Sequence, residues 1–232
     1  MHGNGQLIRG ARLCSSIFLL GIVLTGCVST KTVEAPAEQL SKWQGKTVAL
    51  TDRPRAGFLP MTAGKAMFAV LGVAAAVDAG STIVTENGIE DPAPQLARDL
   101  LAAGQEKYGV VPATIAPVKV DTGDVAQLAK AAKGADLLLD VQNMGLGWFY
   151  GATDWSHYRV VSSYKFRVID VTKGALIAEG FCKRTPDKSE PKTKDELLVD
   201  HAALLKQIIA DQRNACRDEF EKQVLSIGPA TH

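Results

Sequence analysis

The stretch Tyr158–Ile177 reads YRVVSSYKFRVIDVTKGALI, and its pattern decides the fold. As far as Val168 it alternates: Tyr158, Val160, Ser162, Tyr164, Phe166 and Val168 share one face. Arg159, Ser163, Lys165 and Arg167 share the other, with Val161 among them. A period of two over that length predicts a half-buried antiparallel strand. Asp170-Val171-Thr172-Lys173-Gly174 then reads as a turn, and Leu176 to Lys183 as the returning strand. The apolar face of this hairpin needs a cover, and the segment downstream supplies one. Arg184 to Pro191 is charged and proline-bearing, a solvated loop. Thr193 and Glu196 have the spacing of a helix capping box. Leu198, His201, Leu205, Ile208, Ile209, Cys216, Phe220 and Val224 follow at three- and four-residue steps, predicting a long helix packed on the sheet, with His201 at the core edge.

Upstream, Lys46 to Leu50 (KTVAL) reads as a first strand. Ala66 to Val77 (AMFAVLGVAAAV) has no polar side chain and is too short to span a bilayer. Gly72, Ala76 and Gly80 recur every fourth residue, a flat face that permits close packing. Residues 64–84 therefore read as a helix buried in the core, with self-association or membrane contact as the alternative. Asn87-Gly88 marks a turn. Asp91-Pro92 opens a second helix carrying Leu96, Leu100 and Ala103, which Gly109 closes. Ala113 to Val120 reads as a strand, placed at an edge by Pro117. Asp121 to Asp124 opens a short helix striped by Val125, Leu128, Ala129 and Ala132, and Leu137 to Val141 begins another strand. The sum is an α/β (α+β) fold: a mixed sheet of about five strands, helices packed on it, and a long C-terminal helix, in one domain over residues 43–228.

The amino end carries an address. Arg9 and Arg12 precede the apolar run Ile17 to Leu24 (IFLLGIVL), and small residues follow. That is the layout of a secretory signal peptide, here residues 1–26. Leu24-Thr25-Gly26-Cys27 resembles the lipobox of bacterial lipoproteins. The resemblance implies cleavage before Cys27 and acylation of its thiol. Two or more acyl chains hold a protein stably on a membrane. Residues 27–42, polar and small, read as a tether. Val28 stands where an Asp favours inner-membrane retention in enteric bacteria, so the resemblance implies the outer membrane, facing the periplasm.

Across the whole chain 26 basic residues face 25 acidic ones, and two of the basic ones leave with the signal peptide. A near-neutral chain gives no support for nucleic acid as a partner. Cys14 also leaves with the signal and Cys27 takes lipid, so Cys182 and Cys216 remain as an even pair in an oxidising space. They read as a disulfide, with two buried thiols or a metal pair as alternatives. Cys216 lies on the helix stripe and Cys182 shares a strand face with Ala178 and Gly180, so the sulfurs can meet. No CxxC or histidine-rich run points to metal.

Ala135-Asp136-Leu137-Leu138-Leu139-Asp140 and the hairpin from Val168 to Ile177 resemble the α/β domain of proteobacterial envelope lipoproteins. These are the group of the curli secretion lipoprotein, the penicillin-binding-protein activator lipoprotein and the TolB N-terminal domain. The resemblance implies a non-enzymatic envelope role. The chain departs from the secretion-channel member in lacking a second pair of long alternating strands that could build a membrane barrel.

No P-loop, GxGxxG or GxSxG is present, and no cofactor or metal is expected. Asp154 with His157 is the nearest approach to an acid–base pair, the seed of an alternative reading as an envelope-polymer hydrolase. The best functional stretch is Met144 to Tyr158, MGLGWFYGATDWSHY. It reads as a glycine-rich loop carrying Trp148, Phe149, Tyr150, Trp155 and Tyr158, residues typical of partner hot spots. The bland alternative folds them down as a local core. The function expected is that of a membrane-anchored, non-catalytic accessory or binding protein of the envelope. Its expected partner is an envelope protein or a peptidoglycan-related molecule; a self-assembling structural or secretion lipoprotein is the alternative.

Overall fold

The computed structural model describes residues 32–62, 69–151, 153–185 and 191–228. The signal peptide 1–26, Cys27, the 64–68 part of the apolar segment, and 186–190 lie outside the described residues.

The elements in chain order are α1 (Ala37–Leu40), β1 (Thr47–Asp52), β2 (Phe58–Pro60), α2 (Ala69–Asn87), α3 (Ala93–Tyr108), β3 (Val111–Pro112), β4 (Val118–Lys119), α4 (Val125–Ala131), β5 (Leu137–Tyr150), β6 (His157–Asp170), β7 (Ala175–Arg184), β8 (Lys192–Thr193) and α5 (Lys194–Gln223). They build one mixed sheet of eight strands whose main path runs β3-β1-β5-β6-β7; the short β2, β4 and β8 pair with β5, β1 and β6. The parallel pairs lie around β1 and β2, and the β5–β6–β7 meander is antiparallel. The fold is the mixed α/β architecture expected from the chain's patterning.

The alternation that opened the reading is realised residue by residue. Tyr158, Val160, Ser162, Tyr164, Phe166 and Val168 are all buried. Tyr164, Phe166 and Val168 face α3 and α5 across the main core, which also takes Leu96, Leu100, Leu139, Phe220 and Val224. Thr193 caps α5 through Glu196 N–H, and Glu196 bonds back to Thr193 N–H. Cys182 and Cys216 are joined, with Cα atoms 5.6 Å apart, tying β7 to α5. A Cβ on Gly180 would come within 2.8 Å of Val224 Cγ2, so the helix lies on the strand at the glycine, as the small residues beside Cys182 foretold. The opposite face of the sheet is covered only at one end, where α4 packs Leu128, Ala129 and Ala132 on Leu138 and Ile169.

Five expectations need correction. The strand expected over 113–120 is only the two-residue β4 (Val118–Lys119); with β3, which lies just before that span, it pairs in parallel with β1 at the sheet edge. Pro117, just before β4, cannot donate to a ladder, and the edge position suits it. The strand that begins at Leu137 runs to Tyr150, so most of the expected 144–158 loop is strand. The expected tether is part of the domain from Val33 onward: Val33 N–H bonds Glu179 O at 2.7 Å, Ala35 N–H bonds Val224 O at 3.0 Å, and Ala35 and Leu40 are buried. The long helix is interrupted at Val199–Ala202, where Asp200, His201 and Ala202 have left-handed φ of 52°, 54° and 58°. Leu197 is fully buried with Leu198 packed partly buried beside it, and His201 is exposed, not at the core edge.

The fifth concerns α2, which is not buried on most sides. Val73 and Val77 are exposed, at 45% and 51%. Its small-residue face packs on a strand: Ala76 is fully buried, and a Cβ on Gly80 would lie 1.7 Å from Phe58 O. On the far side of β2 a Cβ on Gly147 would lie 2.2 Å from Leu59 O. The three-residue strand β2 is therefore gripped backbone-first between two glycines. Among the described residues no helix is long and apolar enough to cross a membrane.

Candidate functional site

The β5–β6 hairpin projects its far end beyond the main core, and β2, α2 and the start of α5 gather round it. Register sets Trp148 opposite Val160, Phe149 opposite Arg159 and Tyr150 opposite Tyr158. Strand alternation then divides the aromatic set. Trp148 and Tyr158 point inward and are buried. Trp148 packs edge-on against Phe58, centroids 5.2 Å apart at 83°, and lies 5.7 Å from Tyr158. With Leu146, Val160, Leu197, Leu205 and Ile209 they form a second core, on which Tyr150 packs partly buried. Phe149 faces the other way and is 42% exposed; Trp155, in the connecting loop, is 66% exposed. The sequence-stretch expectation thus resolves into both readings: a local core of Trp148 and Tyr158, and an exposed remainder of Phe149 and Trp155.

Beside Phe149 the uncovered sheet face forms a groove of about 420 Å³ floored by Gly145 and Gly147 and edged by Val77, Met144, Val161 and Lys183. On the inward side a second, mainly apolar groove of about 440 Å³ runs between β6 and α5, past Tyr158, Val160, Leu197, Ile208 and Gln212. It sits where the sheet edge has a gap. β7 ends opposite Ser162 and β8 begins opposite Tyr158, so β6 lacks a strand partner between them on that side among the described residues. Gln212 fills the missing rung by donating its Nε2–H to Val160 O at 2.8 Å.

The loop brings Asp154, Ser156 and His157 together. Asp154 Oδ1 accepts from Ser156 N–H at 3.1 Å, Ser156 Oγ–H at 2.9 Å and His157 N–H at 3.2 Å. Asp154 Oδ2 lies 2.7 Å from His157 Nδ1. These bonds, the His157 ring first and Ser156 next, hold the Asp154 carboxyl down at about 2. The trio is not a relay. A hydrolytic triad places the carboxylate on one ring nitrogen and the hydroxyl on the other. Here Ser156 Oγ, at 3.2 Å, meets the same Nδ1 as Asp154. Neither Asp154 nor His157 lines the grooves described above. The trio is a turn that closes on itself. Among the described residues no three His, Cys, Asp or Glu side chains cluster to hold a metal.

Sequence reasoning missed a second cluster. Asp140, 1% exposed, accepts from Arg53 Nε at 2.5 Å and Nη2 at 3.0 Å, from Arg167 Nε at 2.9 Å and Nη2 at 2.6 Å, and from Thr51 Oγ1 at 3.0 Å. Burial alone would raise its carboxyl, but Arg53 and Arg167 outweigh burial and hold it below its ordinary value. The two guanidiniums also donate to Thr122 O at 3.0 Å and Gly123 O at 2.8 Å, clasping the loop before α4 to the sheet. The cluster ties β1, β5, β6 and the loop before α4 together as a structural clasp. Its one sequence signal is an Asp within the apolar run Leu137–Val141 facing an Arg in the alternating strand.

The class these features define is an open mixed α/β sheet with helices on one face and half of the other, and no catalytic or metal constellation among the described residues. No family profile matches the chain, and no curated protein matches it. Among solved structures it is similar to the PelC dodecamer from Paraburkholderia phytofirmans (18% identity, covering 78% of this chain and 91% of that one, TM-score 0.31). It is also similar to the hypothetical protein CT253 from Chlamydia trachomatis (9%, 79% and 99%, 0.40) and to the lipoprotein GNA1162 from Neisseria meningitidis (15%, 71% and 99%, 0.26).

Proposed function

We propose that the chain is a lipid-anchored, non-catalytic accessory protein of the bacterial cell envelope, held at the outer membrane through Cys27. It meets another envelope component through Phe149 and Trp155. The observation that carries this reading is the sequence Leu24-Thr25-Gly26-Cys27 at the end of a short apolar run. Two features support the rest. The Asp154–Ser156–His157 grouping closes on itself and is solvated, which favours binding over hydrolysis. Large aromatic side chains held in solvent at the end of a hairpin have the character of interface anchors.

The test has two arms. Labelled palmitate is expected to enter the wild-type protein in cells and to be absent from a Cys27→Ser variant; equal labelling of both overturns the anchor. A photo-crosslinking residue at position 155 is expected to capture an envelope component, while one at position 111, at the far end of the sheet, captures none. Equal capture from both overturns the contact site.

A further inference from the structure

We infer that the groove between β6 and α5 receives an extended, acidic peptide segment of a partner chain, recognised through a buried amide that the fold leaves half used. The site lies on the inward side of the sheet, away from Phe149, and is independent of acylation at Cys27. Gln212 is 6% exposed and lines the groove. One half of its amide is engaged, since Nε2–H donates to Val160 O at 2.8 Å. The other half, Oε1, is buried without a partner. Only the nitrogen can donate to a carbonyl, so the bond to Val160 fixes which way round the amide stands. Oε1 is therefore a standing acceptor, and pairing it with a ligand's N–H recovers free energy lost by leaving it bare.

Gln212 is not alone. Among the described residues seven buried side-chain nitrogen or oxygen atoms have no hydrogen-bond partner, and three belong to residues lining this one groove: Gln212 Oε1, Arg159 Nε and Arg184 Nε. One acceptor and two donors are the complement of a peptide group, which carries one N–H and one C=O. The remaining wall is apolar, with Val160, Leu197, Leu204 and Ile208 in it, and the volume of about 440 Å³ is that of an ordinary ligand pocket.

Position and charge narrow the occupant. The groove opens where β6 has no strand beside it, between Ser162 opposite Arg184 and Tyr158 opposite Lys192. An extended chain brings to such a place both backbone amides and an apolar side chain at every second residue. The rim carries Arg159, Arg184 and Lys192 against Asp211. Glu219 pairs with Arg184 at 2.7 Å, and the balance stays positive with it counted, so acidic side chains beside the apolar one complement the rim. Residues 186–190, between β7 and β8, read PDKSE and hold no large apolar side chain to fill the groove. An alkyl chain would meet the apolar wall but leave Gln212 Oε1 unpaired.

The probes are capped pentapeptides with Glu at both ends and Leu, Ile, Val, Phe or Trp at the centre, titrated into the full-length protein in phospholipid nanodiscs. At least one is expected to bind, and a benzophenone side chain at its centre to crosslink to Leu204 or Ile208. N-methylation of each peptide amide in turn is expected to weaken binding about tenfold at one position. That loss should vanish in a Gln212→Leu variant that is folded as judged by circular dichroism. Leu204→Trp, which fills the groove from a half-buried position and leaves Gln212 in place, is expected to abolish binding. Should Gln212→Leu not fold, Leu204→Trp decides: binding it leaves unchanged overturns the proposal. Failure of every peptide to bind, or an N-methyl effect of equal size in wild type and Gln212→Leu, overturns it too. A groove that takes a fluorescent fatty acid and no peptide belongs to an alkyl chain. Crosslinks between two copies from a photoreactive residue at position 204, with no peptide bound, assign it to self-association; either result overturns the proposal.

Discussion

The two ends of the β5–β6 hairpin are built from the same ladder and held by different physics. At the end near Leu137 and Asp170 the sheet is covered on both faces, by α3 and α5 on one and α4 on the other. A buried carboxylate between two guanidiniums locks the α4 loop there, at a place no solvent reaches. At the end near Tyr150 and His157 the sheet is covered on one face only. Trp148 and Tyr158 anchor the inner side, while Phe149, Met144 and Trp155 are left in solvent. The lesson is that the well-covered end invests its charges in fixing the fold, whereas the half-covered end leaves apolar surface in solvent.

That contrast can be broken by substitution. The largest effect expected is from Asp140→Ala, which strands two buried guanidiniums; loss of one partner in such a group costs about 3–5 kcal/mol, read as a fall in the urea midpoint. The pH dependence has a definite sign. Because the folded Asp140 carboxyl is lowered from 3.8, its contribution is complete above that value and is lost as pH falls through the lower folded one. Melting temperature should therefore drop on acidification into that window, and less steeply in Asp140→Asn than in the wild type. Next comes the bond tying β7 to α5. Cys182 and Cys216 close a loop with a separation of 34 residues, and its loss should cost about 4 kcal/mol in the chain-entropy model, measured as the stability of a Cys182→Ala, Cys216→Ala protein.

At the hairpin end two tryptophans, Trp148 in strand β5 and Trp155 in the connecting loop, should behave oppositely. Trp148→Ala empties the second core and should cost at least about 3 kcal/mol. His201→Gly should stabilise by about 1 kcal/mol, since a left-handed φ of 54° is strained for any residue with a Cβ. Trp155→Ala should move stability by less than about 0.5 kcal/mol, because nothing packs around a side chain this exposed. If Trp155→Ala instead unfolds the protein, the distinction between the two ends fails.

The elements that were legible in the chain are those whose cause is local. Alternation from Tyr158 to Val168, the Asp170–Gly174 turn and the Thr193–Glu196 cap each arise from neighbours in sequence, and each stands as expected. The pairing of Cys182 with Cys216 was legible because the helix stripe and the strand face could be phased separately. What was illegible depends on distant chain. The run MGLGWFYG looks like a loop because glycines lack strand propensity, yet Gly147 is there so that β2 can approach, and β2 comes from residues 58–60. The Asp140 clasp joins β5 to Arg53 on a segment 87 residues earlier, with no motif to announce it. Residues 32–40 looked like tether because their composition is polar, but composition does not reveal that Val33 completes an edge of β7.

The strand Phe58–Pro60 is wedged between Gly80 and Gly147, whose missing methyl groups are what lets it enter at all. Alanine at either place would evict it, and with it Phe58 from beneath Trp148. A survey of tolerated substitutions would then single out two positions that bear no functional group, on separate elements, as sharply as it would a pair of reacting residues. In this protein, intolerance to change is a signature of room withheld, and chemistry should not be inferred from it.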